Sequence, residues 1–155
     1  MKHLSFTKSA LQALFYHIGP RPDFFAEQNP KQRGDLVQRQ LEKFAAAMHT
    51  DFQVNGVQVE NRTLTVKPSS KVNPSLEAHL EVAVSKGKAM FILELVLSYT
   101  SKDFKSLLSL QNAGLSSNAP VLEMSATNGP TFRSTFTKFF ETIDQKGFYL
   151  NKGLT

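Results

Sequence analysis

An α+β domain is what this sequence predicts: an antiparallel sheet of about four strands packed with a C-terminal helix and an N-terminal helical layer. Three observations lead there. Apolar residues recur at helical spacing up to His49, they alternate with period two between Phe52 and Tyr99, and phenylalanines return at helical spacing from Phe132. Short turns between consecutive strands favour antiparallel neighbours. The simplest division of the 155 residues is a helical arm or layer over 1–50 and a sheet with C-terminal helices over 51–155, together one compact domain.

Residues 7–18 read as the first helix, with Thr7 as its cap, Leu11, Leu14, Phe15 and Ile18 on one face, and Gly19-Pro20 as its end. The stretch 20–34 holds three prolines and a glycine and is expected to be a loop, anchored to the body by Phe24-Phe25. Asp35 then reads as an N-cap, and Val37, Leu41, Phe44, Ala45 and Met48 mark a buried stripe that runs to about His49. From Asp51 the period is two. Asn55-Gly56, set between Phe52, Val54 and Val57, Val59, signals a hairpin or a bulge. Asn61-Arg62 reads as another turn, and Leu64-Thr65-Val66 as a strand that Pro68-Ser69-Ser70 ends.

The strongest signal is Ser75 to Tyr99, two long strands joined at Lys86-Gly87-Lys88. Leu76, Ala78, Leu80, Val82 and Val84 alternate with Glu77, His79, Glu81 and Ser85; after the turn Phe91, Leu93, Leu95, Leu97 and Tyr99 alternate with Ile92, Glu94, Val96 and Ser98. One face of this ribbon is almost wholly apolar and needs a cover. Phe104, Leu107, Leu108 and Leu110 fit an edge strand or a helical turn equally well. A loop follows over 111–118, and Pro120 reads as the first residue of a short helix through Val121 to Thr127. Pro130 opens the last helix, in which Phe132, Phe136, Phe139 and Ile143 share a face broadened by Phe140, and Gly147 stops it.

Composition narrows the function classes. The chain is 41% hydrophobic and 20% charged, in the ordinary globular range, and no apolar run is long enough to span a membrane. The N-terminus is basic and then apolar but lacks a small-residue cleavage site, so a cytoplasmic protein is expected. There is no cysteine, hence no disulfide and no thiolate metal site. Net charge is +5, and Lys31, Arg33, Arg39 and Lys43 are the candidates for a nucleic-acid contact, the alternative function, although no run of basic residues or aromatic-basic signature supports them. The 13 phenylalanines, beside no tryptophan, are core fillers or an apolar surface meant for another chain.

Catalytic chemistry is not visible. His3, His17, His49 and His79 are far apart, and no nucleophile elbow, phosphate loop or dinucleotide fingerprint occurs. His79 shares a polar strand face with Glu77 and Glu81, which makes an acid-base group or a weak metal site conceivable and a solvated face the plainer reading. The expectation is a non-enzyme without cofactor or metal; a pocket assembled from residues remote in sequence is the rival.

Met90-Phe91-Ile92-Leu93-Glu94-Leu95-Val96-Leu97 sets aromatic and aliphatic residues in alternation with a carboxylate. Asn128-Gly129-Pro130 opens an aromatic-rich helix containing Lys138, and Gly147-Phe148-Tyr149-Leu150 follows it. In these stretches and in its order of elements, the chain over roughly residues 50–150 resembles the SecB family of protein-export chaperones. The resemblance implies an ATP-independent holdase, a homo-oligomer (dimer or tetramer), and an apolar groove for unfolded segments of a client protein. Phe91, Leu93, Leu95 and Leu97 would face that groove and Phe136 and Phe140 would line it, although a core strand and its covering helix require the same residues. Glu77, Glu81 and Glu94 would form the opposite, partner-docking face. Export members are acidic, and the short members lack N-terminal helices. This basic chain is therefore more similar to the solitary SecB-like chaperones of toxin-antitoxin systems, whose client is the antitoxin.

Overall fold

The structure, a computed structural model, describes residues 4–19, 29–69, 75–100, 103–113 and 120–147. Its elements follow in the order α1 (Ser5–Ile18), α2 (Pro30–Val54), β1 (Gln58–Ser69), β2 (Ser75–Lys86), β3 (Ala89–Thr100), β4 (Phe104–Asn112), β5 (Pro120–Ala126) and α3 (Gly129–Lys146). The strands form one antiparallel sheet in sequence order, β1-β2-β3-β4-β5. The α+β architecture is as expected, with five strands instead of about four.

Four local expectations are corrected. α2 starts at Pro30, not Asp35, because Asn29 accepts from the Gln32 N–H at 2.8 Å while the Gln32 side chain accepts from the Asn29 N–H at 3.2 Å. Pro30 occupies the first helical position, where no donor is needed. The helix also continues past His49 to Val54, so Asn55-Gly56 is a helix stop, with Gly56 at φ +77°, and not a hairpin turn. Asn61-Arg62 makes no turn either: β1 runs through it with a bulge between Val59 and Asn61. Val121 to Ala126 is strand, not helix, since Leu122 and Met124 pair opposite Leu110 and Leu108 of β4. The Phe24-Phe25 anchor and Phe148-Tyr149-Leu150 lie outside the described residues.

All three helices stand on the side of the sheet that carries Leu80, Val82, Leu93, Leu95 and Leu108. α2 packs on β1 and β2, α3 on β4 and β5, and α1 lies over α2 and α3. Gly34 lets α2 approach β1 closely, since a Cβ there would come within 3.1 Å of the Pro68 ring. Phenylalanines join the layers edge-on: Phe132 meets Phe136 at 4.4 Å, Phe104 at 5.1 Å and Phe15 at 5.2 Å between ring centroids, and Phe44 meets Phe140 at 5.4 Å. Such pairs each add about 0.5–1.5 kcal/mol beyond the area they bury.

α1 is tied down from outside itself. The expected cap, Thr7, instead donates its main-chain N–H to the Asp51 carboxylate of α2 at 2.6 Å, and Phe6 N–H reaches the same group at 3.3 Å. Asp144 of α3 accepts from Leu4 N–H at 2.9 Å and pairs with Lys8. Two carboxylates from neighbouring helices thus meet the positive end of α1. At its other end the Tyr99 hydroxyl donates to the Ile18 carbonyl at 2.6 Å, and full burial pushes that phenol well above its ordinary pKa.

Candidate functional site

The six residues expected to hold a client are core. Phe91, Leu93, Leu95 and Leu97 on β3, with Phe136 and Phe140 on α3, are each at most 1% exposed. The groove expected along this track is closed by the chain's own α2 and α3, whose buried stripes were the missing cover. The described phenylalanines resolve the same way, as packing between sheet and helices, except Phe6, which is 56% exposed.

The opposite face is open. Among the described residues no helix lies on it, and its apolar members, Ala83, Ile92, Val96 and Leu107, are half-buried and stand outside the core. The register arranges it in rows that run across the strands. Ala83 pairs with Ile92, and His79, Val96 and Leu107 form a second row. Between these two runs Glu81, Glu94, Ser109 and Glu123, one residue from each of β2 to β5. Ser109, small and only 2% exposed, lies covered between two longer glutamates. Beside it, Thr65, Lys67, Glu77, His79, Val96 and Ser98 line a depression of about 490 Å³.

Glu77, Glu81 and Glu94 are therefore on the face expected for them, opposite the apolar track. His79 does not pair as its sequence neighbours suggest: its Nε2 lies 3.0 Å from Glu94 across the strand and 4.0 Å from Glu81. Residues two apart on one strand are roughly 7 Å apart, whereas cross-strand and diagonal neighbours bring long side chains together. One ligand atom from each of His79, Glu81 and Glu94 falls within 4.8 Å of the others, a spacing one divalent cation spans. All three remain solvent-accessible, and acidic groups commonly gather at surfaces without an ion.

This face also opposes the charge of the whole chain. Among the described residues it bears five carboxylates, Glu60, Glu77, Glu81, Glu94 and Glu123, against Lys67 and Lys105, in a protein of net charge +5. Lys31, Arg39 and Lys43 are exposed on α2, but Asp35 and Glu42 are exposed on that helix too. Arg33 is buried at 3% exposure, which lowers its pKa and removes it from any surface contact. The four do not assemble into one basic patch. No described helix is long and apolar enough to cross a membrane.

Sequence reasoning found the polar face but missed its row structure, because register fixes which residues of different strands become neighbours, and β5 was not read as a strand at all. Comparison of the chain with models of known families, with curated proteins and with solved structures finds no match in any of the three.

Proposed function

We propose that the protein is an ATP-independent, holdase-type chaperone that retains an extended apolar segment of another polypeptide on the open face of its sheet and carries out no chemistry on it. The observation that carries this reading is the pair of half-buried apolar rows, Ala83 with Ile92 and Val96 with Leu107, on a face that no described helix covers. Such a surface on a sheet backed by three helices is rigid and loses little order on binding. Each large client side chain buried there contributes at most about 1.5–3 kcal/mol before the ordering of the client is subtracted, so affinity comes from several shallow contacts.

The SecB likeness supports the reading as a family habit, with the binding surface moved from the track through Phe91 to the other side of the sheet. A cytoplasmic homo-oligomer, dimer or tetramer, belongs to the same proposal. The test is suppression of aggregation of a chemically unfolded client by the wild type and by an Ile92→Ser, Val96→Ser, Leu107→Ser variant whose fold is verified by circular dichroism and a cooperative melt. Loss of suppression in the folded variant is expected. Undiminished suppression removes the open face from the proposal and leaves the holdase reading without a surface.

A further inference from the structure

The charge pattern of the open face selects among possible segments. Resting on the reading just given, we infer that its occupant is a basic, extended polypeptide segment that crosses the strands along the row Glu81, Glu94, Ser109, Glu123, with Lys or Arg at positions i and i+4 and apolar residues around them.

Three features of the row carry this. Glu81 and Glu94 stand directly opposite one another on adjacent strands, where like charges repel. His79 reaches Glu94 at 3.0 Å but Glu81 only at 4.0 Å, and among the described residues no Lys or Arg sits in the row itself. A cation from outside therefore meets two carboxylates on β2 and β3, with a third on β5. Strands are about 4.8 Å apart, so the step from the Glu81–Glu94 pair to Glu123 is roughly 12 Å. Four residues of extended chain cover about 13 Å, and residues i and i+4 then point to the same side. The flanking rows, Ala83 with Ile92 and Val96 with Leu107, receive the apolar side chains.

The same pattern disfavours other occupants. Two copies stacked by their open faces would be related by a two-fold axis and would set one carboxylate row against an identical one. An acidic segment meets the same repulsion. An antitoxin-type client would fit through a basic stretch, not an acidic one.

The experiment is a fluorescence anisotropy titration with three labelled peptides of one extended, valine- and isoleucine-containing sequence, carrying Lys, Gln or Glu at both i and i+4. Binding is measured at low and high salt to the wild type and to a Glu81→Gln, Glu94→Gln, Glu123→Gln variant. The lysine peptide is expected to bind about tenfold or more tightly than the glutamate peptide at low salt, with the ranking compressed by salt and lost in the glutamine variant. Equal binding of all three peptides, or a ranking that survives in the variant, overturns the charge selection while leaving the holdase reading standing. If no peptide binds, the charge selection falls; if in addition the triple serine variant still suppresses aggregation, the open face falls with it as the client-binding surface. Salt-sensitive self-association in sedimentation equilibrium that the glutamine variant abolishes identifies a second copy as occupant and also overturns the inference.

Discussion

The two faces of the sheet are written in the same strands, one residue out of step, and have opposite fates. On β2 and β3 every inner position from Leu76 to Val84 and from Phe91 to Tyr99 is buried beneath helices, while the alternate positions between them remain partly in solvent. The more apolar face is the one already occupied. An apolar stripe reads the same whether its cover is the chain's own helix or a partner's segment; what decides is whether the chain also supplies matching covers. Here α2 and α3 supply them, with Phe44, Met48 and Phe52 on one and Phe132, Phe136, Phe139 and Phe140 on the other. The weaker, mixed face is what remains for another molecule.

The largest effect that can break this contrast is a pair of charges on the inner face. Leu93→Asp with Leu97→Asp places two carboxylates where the native side chains are wholly buried, beside no cation, at several kcal/mol each against a typical total stability of about 5–15 kcal/mol. The expected outcome is loss of the cooperative thermal transition in circular dichroism. A double variant that melts cooperatively and near the wild-type temperature would show that the track is not sealed.

A smaller effect sharpens how the inner side is closed. Asp51→Ala removes the acceptor for the main-chain N–H groups of Thr7 and Phe6 at the start of α1. Orphaning these donors is expected to cost about 1–3 kcal/mol in urea denaturation, with amide exchange rising first in α1. If exchange rises uniformly instead, α1 is not a separable cover.

Tyr99→Phe tests the other end of α1. Losing the bond to the Ile18 carbonyl is expected to cost about 0.5–1.5 kcal/mol at neutral pH. The pH dependence has a definite sign. Burial raises the folded-state pKa of the phenol, so the native state holds its proton after the unfolded chain has released it. That stabilisation is complete below about pH 10, the ordinary tyrosine value, and is lost above it at up to about 1.4 kcal/mol per pH unit. Wild type minus Tyr99→Phe, followed by urea denaturation from pH 9 to 11.5, isolates this contribution; parallel curves would mean that the hydroxyl is not buried.

Much of the inner face was legible because its determinants are local: alternation in β2 and β3, the helical spacing of Leu11, Leu14, Phe15 and Ile18, and the phenylalanine stripe of α3. The misreadings fall where a local signal has two meanings that only tertiary contact separates. Asn-Pro at 29–30 signals both a turn and a capped helix start, Asn55-Gly56 both a hairpin and a helix stop, and Pro120 both a first helical residue and an edge-strand start. The open face was legible as polar, but its order was not. Glu94 meets His79 only through the pairing of β2 with β3, and Glu123 joins the row of Glu94 only through the pairing of β3 with β4 and of β4 with β5.

The smallest effect lies on that open face. Glu81→Gln removes one of two like charges directly opposed across β2 and β3 and leaves the closer His79–Glu94 contact in place. Glu81 is well exposed, so solvent screens most of the repulsion. The expected result is a gain in stability below about 0.5 kcal/mol at low salt that vanishes by 1 M salt, where the screening length falls to about 3 Å. Urea denaturation of the two proteins at both salt concentrations measures it. The sign matters more than the size: a variant less stable than wild type would mean that Glu81 is held by a favourable partner in the native protein, and the row would then be an internally satisfied network, with no unmet charge for a basic segment to meet.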